Sequence, residues 1–411
     1  MRLELTISRL GAQGDGIADT ADGPAFVPFT LGGERVVADV EKARGTLVDL
    51  LSRSRERIEP ICRHFGVCGG CALQHLERNA YLEWKRQRVV DALAMEGIDT
   101  PVEPVRAFGP HTRRRAAFAA MKSASGLAFG YRRAQSHDIV DLAECPLLLP
   151  RFEAALPALR AVVDALLASG EARITVTACD NGLDIDIEKK LGKLRPFTSA
   201  HGKAVEAAGI IRLTAGGDPL FSIAAPRVSL AGVPVEPPPG AFLQASGEAE
   251  TAMADMAMAA LGKARKARKV ADLFCGLGTF SFAMARRASV TAVENDRTLL
   301  LALDAALRRA QGLKPIRTLA RDLMREPLSA AELNAYDAVL FDPPRAGALA
   351  QAGALARSRV PTVIAMSCNP ASFARDAAVL IGGGYRLERV APVDQFVFSA
   401  HVELVAILTR K

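Results

Sequence analysis

The sequence predicts a multidomain chain: a small β-barrel over residues 1–55, a central α+β domain over 56–236 and a doubly wound α/β domain over 237–411. Three observations predict it. Short strands crowd the first 55 residues, and apolar strands alternate with helices after residue 240. Between them, Pro237-Pro238-Pro239-Gly240 breaks the chain where its pattern changes. A length of 411 residues suits about two to three domains, each able to bury a core.

In the first segment Leu3-Glu4-Leu5-Thr6-Ile7 alternates, Gly11, Gly14 and Gly16 punctuate a turn, and 25–29 and 34–40 read as further strands. Closely spaced short strands suggest a barrel. Polar Arg53-Ser54-Arg55-Glu56-Arg57 reads as a linker. A helix fits 76–96, with Leu82, Val89 and Leu93 on one face. Hairpins fit 116–131, turning at Ser123-Ala124-Ser125-Gly126, and 173–187, turning at Asp180-Asn181-Gly182. Past the break, a helix fits 248–261, and strands fit 269–273, 290–293, 338–341 and 362–366. Such a sheet places its ligand beyond the carboxyl ends of the strands.

Half the residues are hydrophobic and 24% are charged, which excludes a disordered or collagen-like chain. Lys plus Arg number 52 against 45 Asp plus Glu, a net charge of +7 that favours an anionic partner. Seven cysteines, an odd number, are too few for a disulfide scaffold of this length. Met1-Arg2-Leu3-Glu4-Leu5 carries an acid where a signal peptide needs an apolar run. No stretch reaches the ~18 apolar residues of a membrane span. A cytoplasmic, reducing compartment, no membrane and a monomeric chain are expected.

Val270-Ala271-Asp272-Leu273-Phe274-Cys275-Gly276-Leu277-Gly278-Thr279-Phe280 runs from strand through a glycine turn into a helix. Glycine lets the backbone approach a ligand closely. Val293-Glu294-Asn295 ends the next strand about 20 residues on, where a carboxylate reaches both hydroxyls of a ribose. Ser281 stands where a dinucleotide fingerprint has its third glycine, so a nucleoside without phosphates fits better. S-adenosylmethionine is a ligand of that class. An ordinary tight turn is the plain reading of a lone Gly-x-Gly, and the strand context and Glu294 outweigh it. Cys275 reads as packing. After another apolar strand, Asp342-Pro343-Pro344-Arg345 is a stiff loop end aimed at the same edge, with Asp342 facing the cleft.

Two cysteine systems differ. Cys62-x5-Cys68-x2-Cys71 lies in a Gly-rich loop, with Cys145-Pro146 as a distant fourth candidate. Four thiolates suit a [4Fe–4S] cluster and also tetrahedral zinc. Zinc sites usually pair two Cys-x2-Cys knuckles, so the spacing favours the cluster. Its first gap of five also differs from the Cys-x3-Cys-x2-Cys of radical enzymes. Cys368, in Met366-Ser367-Cys368-Asn369-Pro370, instead sits alone at the carboxyl edge of a strand. It suits a nucleophile if the helix N-terminus that Pro370-Ala371-Ser372 suggests lowers its pKa, and a small buried residue otherwise. In His401-Val402-Glu403-Leu404-Val405-Ala406-Ile407, read as a strand, period two puts His401 and Glu403 on one face, and a carboxylate there suits a general base.

Asp272-Leu273-Phe274-Cys275-Gly276-x-Gly278, Asp342-Pro343-Pro344-Arg345-x-Gly347, Ser367-Cys368-Asn369-Pro370 and His401-Val402-Glu403, in this order, resemble the bacterial RNA uracil-C5 methyltransferases. The resemblance covers nearly the whole chain. It implies a Rossmann-like class I methyltransferase domain at the C-terminus and an OB-like TRAM domain at the N-terminus. With the cluster, that is the pattern of the 23S rRNA branch. It implies Cys368 as nucleophile and Glu403 as base. Gln244 (in Phe242-Leu243-Gln244-Ala245-Ser246), Phe274, Gly276, Thr279, Glu294, Asp322 and Asp342 fall at the family's S-adenosylmethionine positions, and Cys62, Cys68, Cys71 and Cys145 at its [4Fe–4S] ligands. Ser246 and Thr279 stand where Asn is usual or common, and 394–400 departs from the usual Asp-Met-Phe-Pro-x-Thr. A tRNA uridine-C5 enzyme, an RNA cytosine-C5 enzyme and a non-catalytic iron–sulfur RNA-binding protein are the alternatives.

An RNA partner also fits the charge. Arg106, Arg113, Arg114, Arg115, Lys122, Arg132 and Arg133 lie in a stretch without an acid. Lys263, Arg265, Lys266, Arg268 and Lys269 form a second run. Aromatic residues are scarce, at 5% with one Trp, so contacts to backbone and shape are expected beside stacking.

Overall fold

The computed structural model describes residues 1–134, 136–188, 192–263 and 267–410, with the backbone alone at residue 263. Three large sheets follow one another along the chain.

The first has six strands in the order Arg2–Thr6, Arg35–Glu41, Arg44–Ser52, Gly23–Val27, Gly16–Thr20, Arg9–Leu10. Its two edge strands are consecutive in sequence. Ile7 N–H donates to the Glu34 carbonyl (2.9 Å) and Ser8 N–H to that of Ile17 (2.7 Å), so one bend joins both edges. Alternating Leu5, Ile7, Ala18, Ala25, Val27, Val36 and Ala38 fill the inside. The polar stretch 53–57 is anchored rather than free. The Arg57 guanidinium grips the buried Glu34 carboxylate at 2.5 and 2.8 Å.

The second sheet runs Asp218–Ser222, Ile210–Ala215, Gly182–Ile187, Leu167–Cys179, Arg115–Ser123, Gly126–Arg132, Ile139–Asp141, with Gly192–Leu194 beside Leu167–Cys179. Both expected hairpins are in it. Its core joins Phe118, Phe129 and Ile174 to Phe152, Leu159 and Val163 of the helices Pro150–Ala154 and Leu156–Leu166.

The third sheet has the order Ile316–Ala320, Ser289–Glu294, Lys269–Leu273, Ala338–Phe341, Thr362–Ser367, Glu403–Arg410, Tyr385–Val393. The first five are parallel, and Glu403–Arg410 enters antiparallel between Thr362–Ser367 and Tyr385–Val393. Successive strand residues feed opposite cores. Val339, Phe341, Val363 and Leu404 meet the helices Leu349–Arg357 and Pro370–Gly382, while Leu340, Ile364 and Val405 meet Gly247–Lys263 and Thr279–Ala285. Apolar runs covered on both faces are the mark of a parallel sheet. The helix Arg78–Met95 precedes the Pro-rich break, yet its Val89 and Leu93 pack into the first of these cores.

A buried charge network fixes that helix. Asp394 Oδ1 accepts from Lys85 Nζ (2.5 Å) and the Tyr81 hydroxyl (2.8 Å). Lys85 also donates to the Phe396 carbonyl (3.0 Å), and the Tyr81 hydroxyl accepts from Phe398 N–H (2.8 Å). The Phe398 carbonyl in turn accepts from the N–H groups of Ala72 and Leu73, next to Cys71. No helix of the described residues is long and apolar enough to cross a membrane.

Candidate active site

The carboxyl ends of the third sheet open into a cavity of about 530 Å³. Gln244, Phe274, Gly276, Thr279, Glu294, Asp322, Asp342, Cys368 and Glu403 all line it. These residues span 160 positions of sequence and meet because consecutive parallel strands end at one edge.

The glycine turn is shaped by its backbone. Gly276 and Gly278 have φ of +54° and +87°, and Gly278 caps the helix Thr279–Ala285. A Cβ at Gly278 would lie 2.8 Å from Leu303 Cδ1. Phe274, at φ +62°, is a non-glycine residue held left-handed at the cavity wall, the kind of strain that gathers at functional sites. Glu294 is fixed by three backbone donors: Gly276 N–H (3.0 Å) to one oxygen, Asn295 (2.7 Å) and Asp296 (3.0 Å) to the other. Asp322 accepts from Met324 N–H at 3.0 Å. The Ser281 hydroxyl donates to the buried Asp272 carboxylate at 2.5 Å. Burial pushes the Asp272 carboxyl up to about 7, and the serine bond only partly offsets it. Ser246, where Asn is usual, is buried away from the cavity, its hydroxyl accepting from Ala249 N–H at the start of a helix.

At the opposite wall two carboxylates are joined through two glutamines. Gln244 Nε2 donates to Asp342 Oδ2 (3.2 Å), and Gln244 Oε1 accepts from Gln395 Nε2 (2.8 Å). Gln395 Nε2 also donates to Glu403 Oε2 (2.7 Å), and its Oε1 accepts from Ala245 N–H (3.1 Å). Burial, and then the neighbouring Asp342, pushes Glu403 well above the usual carboxylate range, while the Gln395 bond pulls it back. Asp342 is raised in the same way. Gln395 had no functional reading in the sequence; its only signal was the departure from the usual motif at 394–400. Arg345, Phe242 and Phe396 also line the cavity; each lies in a segment singled out in the sequence but was given no role there.

Cys368 lines the cavity just before the helix Pro370–Gly382, which Asn369 caps through its side chain to Ala371 N–H (3.2 Å). The helix is where the sequence puts it, but the thiol beside it is raised rather than lowered. Burial, then the Glu403 and Asp342 carboxylates, pushes Cys368 up to about 11. A second correction concerns His401. The last strand begins at Glu403, so His401 lies before it, exposed against the Phe396 ring at 5.7 Å, and does not share the cavity.

The other four cysteines also converge. Cys62, Cys68, Cys71 and Cys145 line a separate cavity of about 80 Å³ with Phe65, Tyr131, Leu142 and Leu147. All four are free thiols, and Gly70 N–H points at Cys68 Sγ (3.4 Å). Burial raises each thiol, Cys71 to about 12 and Cys145 to about 11. As they stand, no three His, Cys, Asp or Glu among the described residues surround one point closely enough to hold an ion. Cys179 is buried in a core, as is Cys275, which also touches the cofactor-side cavity.

The first basic run is largely spent inside the protein. Arg114 pairs with Glu250 (2.5 Å), Lys122 with Asp164 and Arg132 with Glu171. Arg115 donates to the carbonyls of Gly240 and Ala241, and Arg113 lies 5.9 Å from the Phe396 ring. Only Arg106 and Arg133 of the seven are exposed. In the second run Arg268 and Lys269 are exposed; Arg265, Lys266 and the Lys263 side chain lie outside the described residues.

A doubly wound sheet with one antiparallel strand inserted next to its edge, and a glycine turn whose N–H binds an acid at the end of the neighbouring strand, has the form of a class I S-adenosylmethionine-dependent methyltransferase domain. Residues 235–411 match the tRNA (uracil-5-)-methyltransferase family model. An uncharacterised RNA methyltransferase of Brucella suis is 50% identical over 99% of this chain and 98% of its own. A 23S rRNA (uracil(1939)-C(5))-methyltransferase of Vibrio vulnificus is 32% identical over 99% of this chain and 96% of its own. The chain belongs to the RNA uracil-C5 methyltransferase family and is an S-adenosylmethionine-dependent enzyme. The crystal structure of a tRNA (uracil-54, C5)-methyltransferase of Pyrococcus abyssi, with S-adenosyl-L-homocysteine, shares the fold at TM-score 0.75 and 22% identity over 99% of both chains.

Proposed function

We propose that the enzyme methylates C5 of a uridine in 23S rRNA through a covalent adduct with Cys368. The observation that carries this reading is the convergence of Cys368, Glu403 and Asp342 with the cofactor-side residues on one cavity. Uracil C5 is a poor nucleophile. Addition of the Cys368 thiolate to C6 moves the C5–C6 electron pair onto the ring as an enolate, which makes C5 nucleophilic. Bound S-adenosylmethionine supplies the electrophilic methyl group. Gln244, Phe274, Gly276, Thr279, Glu294, Asp322 and Asp342 would hold that cofactor, and the Glu294 carboxylate would suit its ribose hydroxyls. The methylated adduct still carries the C5 proton; Glu403 removes it, the C6–S bond breaks and the thiolate leaves. Elevation of the Glu403 carboxyl brings its pKa towards working pH, where a base is most effective. The target uridine must be unstacked to reach the cavity, at a cost of ~ a few kcal/mol.

The first six strands act as a small RNA-binding barrel of the TRAM kind within residues 1–55, followed by the domains 56–236 and 237–411. Cys62, Cys68, Cys71 and Cys145 would hold a [4Fe–4S] cluster. Four free thiols lining one cavity, with a backbone N–H aimed at one sulfur, support that reading. The rRNA assignment takes its support from the Vibrio vulnificus relative.

The test is methyl transfer to unmodified 23S rRNA and to tRNA, with mass mapping of 5-methyluridine. Cys368→Ala abolishes transfer. Glu403→Gln accumulates a protein–RNA adduct stable to denaturing gels. Wild-type-like transfer by Cys368→Ala overturns the mechanism; methylation of tRNA alone overturns the substrate.

A further inference from the structure

A second cleft, of about 280 Å³, lies next to the nucleophile loop. Cys368 lines the methyl-transfer cavity, and the next three residues, Asn369, Pro370 and Ala371, line the cleft. Its other walls are Leu10 at the edge of the first sheet, Gly11 and Ala12 in the turn that follows, and one face of the helix Arg78–Met95, with Trp84, Arg88 and Asp91. Spacings of four and three residues put these three side chains on one helix face.

Trp84 is the only tryptophan in the chain and is half-buried. The Arg88 guanidinium sits 5.3 Å from its ring centroid. Arg88 is anchored to the Ala400 carbonyl, and among the described residues no carboxylate lies within ion-pair distance of it. Arg345, on the wall of the methyl-transfer cavity, likewise has no ion-pair partner among the described residues. The junction of the two cavities therefore places two guanidinium groups, neither in an ion pair among the described residues, beside an aromatic face. Asp91, the one acid that lines the cleft, accepts from the Gln87 amide at 2.7 Å.

An RNA substrate meets both demands. Extracting a uridine into a buried cavity removes a stacking partner from each neighbouring base and brings backbone phosphates to the cavity mouth. An indole–guanidinium pair at that mouth replaces the lost stacking and offsets the phosphate charge. We propose that the cleft between Trp84, Arg88 and Asn369-Pro370-Ala371 is a stacking subsite for a base adjacent to the target uridine. This rests on the reading of RNA as the substrate.

The single tryptophan makes the test direct. Wild-type enzyme is titrated with unmodified 23S rRNA transcript while indole fluorescence and filter retention are followed together, with methyl transfer measured in the same samples. The quenching midpoint is expected to coincide with the midpoint of retention. Trp84→Ala raises KM for RNA roughly five- to hundredfold, leaves S-adenosylmethionine affinity unchanged, and Trp84→Phe restores most of the loss. Retention and methylation by the wild type without any fluorescence change overturns the subsite, as does a wild-type KM in Trp84→Ala. Methyl transfer is read independently, so failure of the subsite is distinct from failure of the RNA reading. The wild-type fluorescence arm needs no folded variant.

Discussion

At the residue scale the site turns on proton affinities. Cys368 rests as a thiol because burial and two carboxylates oppose its ionisation. The same burial raises Glu403, and only the Gln395 amide favours its ionised form. Gln395→Met removes that donor at similar volume, so the Glu403 pKa rises further. Glu403 must be ionised to take a proton, and the rate climbs as pH rises through that pKa. The acid limb of the single-turnover profile therefore moves to higher pH, by about one to two units if the bond is an ordinary charge-assisted one. A limb that stays in place would show that Gln395 serves packing alone. The amide role was not legible in the sequence, because Gln395 and Gln244 are 151 positions apart and meet only across the folded site.

Two elements position this chemistry, and each has a breakable joint. The glycine turn depends on Gly278. Alanine there is left-handed at a cost of ~1–3 kcal/mol, and its Cβ collides with Leu303. Gly278→Ala is expected to weaken S-adenosylmethionine binding roughly five- to hundredfold, as read by calorimetry. This turn was fully legible, since a strand, a Gly-x-Gly and a following helix are local signals. The helix Arg78–Met95 was legible as a helix but not in its anchor, the buried Lys85–Asp394 pair that reaches across 309 positions. Lys85→Met leaves Asp394 buried with Arg78 (3.3 Å) and Tyr81 alone, and costs about 3–5 kcal/mol in urea unfolding. The double variant Lys85→Met/Asp394→Asn recovers part of that loss, because neither charge is then stranded.

Over the whole molecule, the thiol cavity and the methyl-transfer cavity are tied by one path. Ala72 and Leu73, beside Cys71, hold the Phe398 carbonyl; Phe398 and Asp394 are held by Tyr81; Gln395 and Phe396 lie between them at the active site. Protein prepared without oxygen is expected to be brown and to contain about four irons. If the proposed cluster is bound, its aerobic loss is expected to lower the Tm and, through this path, to slow methyl transfer. A colourless preparation with stoichiometric zinc would refute the cluster. Unchanged methylation after iron loss would show that the path carries no coupling.

The sequence by itself determined the order of the three segments, the glycine turn, the proline-stiffened loop after Asp342 and the two groups of cysteines. Each is written in adjacent residues, where backbone propensity and spacing act directly. Tertiary structure alone decided how those residues are charged and which of them meet. Most of the basic run between Arg106 and Arg133 is neutralised by acids and carbonyls from distant segments, so local charge count overstated the free surface. Cys368 is raised rather than lowered because burial and two carboxylates outweigh its backbone hydrogen bond and the Arg345 charge. Desolvation and Coulomb terms depend on distance in space, and no pattern along one chain encodes that distance.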